Sequence, residues 1–188
     1  MKYYIANAIL YLLPPTRFFY LKRVILRLLG LSIGRETKVC GAVKFYGAGR
    51  IVIGANTWVG IGCKFYTSQG GDVFVGSRCD IAPEVAFHCG SHEIGDLTRR
   101  AGTGTARSIH VGNGSWIGVR STILAGTEIG ESCIVGAASL VLGECFLSSS
   151  LILGVPARVI RKLEDPDLSK LSRDSLSGVT TCEDVADQ

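Results

Sequence analysis

The feature that most constrains this chain is a rhythm of six. An aliphatic residue followed by glycine recurs at Ile33-Gly34, Ile53-Gly54, Val59-Gly60, Val75-Gly76, Val111-Gly112, Ile117-Gly118, Ile129-Gly130, Val135-Gly136 and Leu153-Gly154. The longest series in step runs Val111, Ile117, Ile123, Ile129, Val135, Val141, Leu147, Leu153 and Val159. Shorter ones are Ile33, Val39, Phe45 and Ile51, then Ile53, Val59 and Phe65, then Val75, Ile81 and Phe87. A step of six fits neither the 3.6-residue period of a helical face nor the two-residue alternation of a strand. It fits a short strand plus a corner, repeated as the sides of a prism. Inward residues are then buried only against the coils above and below.

Four residues after each aliphatic a small side chain is usual: Thr57, Cys63, Cys79, Ser115, Ser121, Thr127, Cys133, Ser139 and Cys145. It stands two places before the next aliphatic, so an extended strand carries both on one face. Cys63, Cys79, Cys133 and Cys145 therefore read as compact inward thiols. Corners between strands need tight backbone, and the 24 glycines supply residues that tolerate unusual dihedrals. The seven cysteines form no C-x-x-C pair, against a disulfide framework or an ordinary zinc site. That inventory suits a reducing cytoplasm. The net charge is only +4 and no basic stripe is interleaved with aromatics, so nucleic acid is not an expected partner.

The rhythm resembles the hexapeptide-repeat acyltransferases, which form left-handed parallel β-helices with three hexapeptides per coil. The resemblance covers about residues 33–161. It is most specific in Gly114-Ser115-Trp116-Ile117-Gly118, in Ile134-Val135-Gly136-Ala137-Ala138-Ser139, and in Gly154-Val155-Pro156-Ala157-Arg158-Val159-Ile160-Arg161. The galactoside, maltose and nodulation-factor O-acetyltransferases are similar, and the polysaccharide O-acetyltransferases more so. It implies an all-β fold: a left-handed parallel β-helix over 32–162, after an N-terminal helical segment over 1–31 and before an acidic tail over 163–188. It also implies acetyl-CoA as co-substrate, no metal, and a homotrimer with sites between subunits.

The rhythm breaks once on a large scale, between Phe87 and Val111, and long insertions in compact domains are often functional. This inserted loop, 88–110, holds Gly90-Ser91-His92-Glu93. By resemblance His92 is the base that takes the proton of an acceptor hydroxyl. The chemistry agrees, since an alcohol needs a base during attack and imidazole exchanges protons near neutrality. Glu93 and Asp96 are candidates to orient the ring. His110 precedes an inward aliphatic and should face solvent, while His88 sits at a corner. The resemblance further places Trp116, Gly118, Ala137 and Ala138 on the wall for the pantetheine arm, and Arg158 and Arg161 near the CoA phosphates. Two departures stand out: Gly60 lies where the sugar enzymes carry asparagine, and Gly143 where they often carry lysine.

The resulting expectation is an O-acetyltransferase acting on a sugar or glycan precursor. The alternatives are a non-catalytic repeat scaffold, or acetylation of serine or an antibiotic. A zinc enzyme on this fold would need three histidines at a spacing His88, His92 and His110 do not have. Arg17 to Leu31 reads as a helix with Phe18, Leu21, Ile25 and Leu28 in one stripe beside Lys22, Arg23 and Arg27. The stripe is expected to cap the open end of the β-helix; a basic amphipathic helix on the inner face of a membrane is its other use. The apolar run Ile5 to Leu13 is too short to cross a bilayer and lacks a cleavage signature.

Overall fold

The computed structural model describes residues 1–164. The rest of the expected acidic tail, with Cys182, lies outside the described residues. Short strands wind into a three-sided parallel β-helix. Side A holds β1 (Ser32–Ile33), β4 (Ile51–Ile53), β7 (Val73–Val75), β12 (Ile109–Val111), β15 (Glu128–Ile129) and β18 (Cys145–Phe146). Side B holds β2 (Lys38–Val39), β5 (Trp58–Val59), β8 (Asp80–Ile81), β13 (Trp116–Ile117), β16 (Ile134–Val135) and β19 (Ser150–Gly154), closed by antiparallel β20 (Ala157–Lys162). Side C holds β3 (Lys44–Tyr46), β6 (Lys64–Tyr66), β9 (Ala86–His88), β14 (Thr122–Leu124) and β17 (Leu140–Val141). Val111 pairs with Ile129 one turn above, so a regular coil is three hexapeptides. The insertion leaves between sides C and A as a hairpin of β10 (Gly90–Ile94) and β11 (Ala101–Ala106).

The inward positions stack into columns. On side C the rings of Phe45, Phe65 and Phe87 lie 5.4 and 4.9 Å apart and are fully buried. The small inward slot carries a polar function as well as a packing one. Thr57 Oγ1 donates to Gly76 O at 2.9 Å, Ser115 Oγ to Gly130 O at 3.0 Å and Ser121 Oγ to Gly136 O at 2.9 Å. Each hydroxyl thus bonds a carbonyl of the next coil, which removes the penalty of burying it. Cys63 and Cys79 make the same contact with sulfur, and burial pushes the Cys63 thiol up to about 12. These thiols are inert core groups.

Two expectations are corrected here. The inward series does not continue from Val141 to Leu147, Leu153 and Val159; the buried residues are Phe146, Ile152 and Ala157, and Leu147 is 79% exposed. The step from Val141 through the Leu142-Gly143-Glu144 corner to Phe146 is one residue shorter than the regular six, so the strands beyond it slip by one. Cys145 consequently faces solvent, and Ser150 fills the inward slot. The glycines of the aliphatic–glycine steps are also not chiefly dihedral devices. A Cβ on Gly54 would stand 2.5 Å from the backbone of Gly76 and Ser77, so glycine is there because the next coil lies directly on it. The left-handed dihedrals fall two residues later, on Glu36, Asn56, Arg78 and Ser132, and on Glu84, Arg120 and Ala138 in the other corner. Gly54→Ala is expected to destabilise the protein by about 1–3 kcal/mol through overpacking. Urea denaturation would register it as a lower midpoint with unchanged slope.

Two helices close the base: α1 (Lys2–Leu12) packs on β3, and α2 (Phe19–Leu28) on β1 and β2. Tyr3, Ala6 and Leu10 face the core, and Tyr3 Oη donates to Gly49 O at 2.8 Å. Helix α2 does cap the coil, but not with the stripe expected of it. Lys22 and Leu26 are buried, whereas Phe18, Leu21 and Leu28 are exposed. The reason is Lys22, whose Nζ donates to the carbonyls of Pro14 and Pro15 at 2.8 and 2.9 Å. That clamp on the interhelical turn turns the charged side inward; burial holds the ammonium below its ordinary pKa.

Candidate active site

The hairpin arm is built from strands exposed on both faces, so no alternation of apolar and polar residues marks it in the sequence. His92 pairs with Gly104 across it, and the turn closes with Gly95 N–H donating to Arg100 O at 2.9 Å. His92 Nδ1 lies 3.0 Å from Gly102 O. A carbonyl only accepts, so Nδ1 carries the proton and Nε2 keeps its lone pair free. Ser68, Gln69, Gly90, Ser91, Thr105 and Ala106 complete a cleft of about 400 Å³ around the ring.

The orienting group is thus a backbone carbonyl, not Glu93 or Asp96. Asp96 is occupied with its own turn: its carboxylate accepts from Thr98 Oγ1, Thr98 N–H and Arg99 N–H at 2.6, 2.8 and 3.0 Å. Those bonds, the Thr98 hydroxyl first, hold it below the usual carboxylate range. His88 lies outside the arm cleft. It stacks on Tyr66 at 4.6 Å, continuing a ladder from Tyr46, and burial followed by the nearby Lys64 charge lowers its pKa. His110 faces outward and stacks on Phe74 at 4.8 Å.

Trp116, Ile134, Leu151 and Arg161 stand in one row across side B, in register. Trp116 and Arg161 share a cleft of about 540 Å³ with Ser132, Ser149 and Lys162. Ala137 and Ala138 are exposed at the corner between sides B and C. Gly118 is buried beneath them, where a Cβ would stand 2.6 Å from Ala137 N. Its lack of a side chain is explained by coil stacking. Arg158 does not join the Trp116 cleft; it pairs with Glu144 at 3.3 Å. Gly143 leaves no room for the lysine of similar enzymes, since even a Cβ would collide with Ala125 O.

The arm leaves the prism at the corner between sides C and A, and side B is the side opposite that corner. Within one chain the His92 ring and the Trp116–Arg161 cleft therefore do not meet. Among the described residues no cluster of side chains suited to holding a metal is found.

No protein-family model matches the chain. Among curated proteins it is 31% identical over 115 residues to a Staphylococcus aureus protein assigned as an acetyltransferase, covering 61% of this chain. The match spans 56% of that relative's length. It is 29% identical over 136 residues to the galactoside O-acetyltransferase of Escherichia coli, covering 72% of this chain and 66% of the relative. Among solved structures, a hexapeptide-repeat acetyltransferase of Vibrio cholerae complexed with acetyl-CoA superposes with a TM-score of 0.74 at 23% identity. That superposition covers 87% of this chain and 86% of the other, which establishes the shared fold.

Proposed function

We propose that the chain is an acyltransferase of the hexapeptide-repeat family and that it moves an acetyl group from acetyl-CoA to a hydroxyl of a sugar or glycan precursor. The observation that carries the reading is the His92 ring, with Nδ1 held by the Gly102 carbonyl and Nε2 free on an exposed arm. In the proposed reaction Nε2 takes the acceptor's hydroxyl proton while that oxygen adds to the thioester carbonyl. The carbon–sulfur bond then breaks, and the departing thiolate takes the proton from the imidazolium. Ester and free thiol leave, and the ring returns to its starting state without an acyl-enzyme.

Acetyl-CoA is assigned to side B. Trp116 and Arg161 flank its cleft, and Gly118, Ala137 and Ala138 form the adjoining corner. Because side B lies opposite the arm of its own chain, the reading requires the arm of a second copy, and we infer a homotrimer. The arm itself supports this. A two-stranded hairpin is marginal alone in water, and this one carries exposed Ile94 and Leu97 at its tip. A partner's surface would cover both. The free, buried thiols suit the cytoplasm.

Acetyl-CoA is expected to protect the protein against heat. At ten times its Kd a ligand that binds only the native state adds about 1.4 kcal/mol, or about 3–6 °C in Tm for a chain of this size. A thiol-release assay across sugars, amino sugars, nucleotide-linked sugars and serine then identifies the acceptor. No thermal shift with acetyl-CoA, and no thiol release with any acceptor, would favour the non-catalytic scaffold.

A further inference from the structure

We propose that the outer face of the two N-terminal helices is a docking surface for an anionic lipid bilayer. Apart from Lys2 and from Asn7, whose amide is bonded to the Phe45 backbone of the coil, helix α1 is apolar on both its inner and its outer face. Its inner face buries Tyr3, Ala6 and Leu10, while Tyr4, Ile5, Ala8, Tyr11 and Leu12 form one outward stripe at helical spacing. Tyr11 is 75% and Leu12 79% exposed. A helix apolar on both faces is normally covered on both. Helix α2 and its N-cap add Phe18, Tyr20, Leu21 and Leu28 to the exposed set, because the Lys22 clamp turns that stripe away from the core.

The charges identify what covers it. Lys2 and Arg17 accompany these side chains, Arg23 and Arg27 lie at the rim where they also donate to Thr37 O at 3.4 Å and Ile33 O at 2.7 Å of the coil, and no acidic residue precedes Glu36. Arg23 lies over the Tyr20 ring at 5.4 Å, an aromatic–cation pair suited to a headgroup region. A second copy docking by the same face would bring these cations against their own copies with no anion between them. An anionic headgroup layer offers the opposite charge to the basic side chains and an acyl boundary to the apolar ones. No described helix is long and apolar enough to cross a membrane, so the helices would lie in the interface plane.

The test is sedimentation of the full chain with vesicles of phosphatidylcholine alone, and with about 30 mol% phosphatidylglycerol added. Wild type is expected to pellet with the anionic vesicles and to be released by salt. The double variant Leu12→Glu/Leu28→Glu should bind at least about tenfold more weakly, and Arg17→Gln about fivefold. These side chains are exposed, so unchanged circular dichroism and melting would show the fold intact. Three outcomes overturn the proposal: wild type left in the supernatant, equal binding by wild type and the double variant, or an oligomer that the double variant dissociates while wild type ignores vesicles. None of these readouts depends on the acetyl-transfer reading.

Discussion

His92→Ala is expected to lower kcat by about 10²- to 10⁴-fold, the usual contribution of a positioned general base. Melting should move little, because the ring is exposed on an arm that contributes nothing to the core. The informative companion is His92→Asn. Its amide nitrogen occupies about the place of Nδ1 and can still donate to the Gly102 carbonyl, which keeps the arm's internal bond. It offers nothing where Nε2 stood. If the ring acts as base, both variants lose turnover equally while the KM for acetyl-CoA stays near wild type. If the ring only braces the arm, asparagine restores most of the rate. Recovery of activity in His92→Asn would therefore remove the base and leave a positioning residue.

The coils were legible in the sequence because each inward residue meets only its counterparts one coil away, so the same demand returns every six positions. Where that demand changed, the pattern was silent. Beyond Val141 the chain offers two apolar series, Leu147 with Leu153 and Phe146 with Ile152, and hydrophobicity alone favours neither. The choice is made by one missing residue at the Leu142-Gly143-Glu144 corner, which no periodicity reports. The left-handed corner residues were hidden for a different reason: Glu36, Asn56 and Arg78 hold dihedrals usually given to glycine, while glycine sits two places earlier to clear the neighbouring coil.

At the site the division is similar. His92 became a candidate through the family resemblance, since a histidine in a long insertion is by itself more often incidental. Its partner could not be picked out, since a backbone carbonyl such as that of Gly102 has no sequence signature. Helix α2 misled for an energetic reason. An amphipathic stripe normally faces the core, but Lys22 finds two carbonyl acceptors in the Pro14-Pro15 turn, and that clamp holds the apolar stripe outward. The exposed stripe then became the more informative observation, because something other than this chain's core must cover it.

Phe65→Ala is expected to cost about 3–5 kcal/mol, the usual range for removing a buried aromatic from a packed core. Phe65 is the middle ring of its column, 5.4 Å from Phe45 below and 4.9 Å from Phe87 above, and it is fully buried. Its loss therefore weakens two coil–coil interfaces, whereas Phe45→Ala would leave Tyr3, 6.2 Å from the Phe45 ring, to close part of the gap. For a chain of this size the change corresponds to a fall in Tm of about 6–20 °C. Stability in a solenoid is carried between neighbouring coils, so the weakened junction should also open first. Hydrogen exchange should show the first coil and the helices α1 and α2 losing protection well before β12–β16. A loss below about 1 kcal/mol, or protection falling evenly along the chain, would mean that the ring column is not what joins the lower coils to the upper ones.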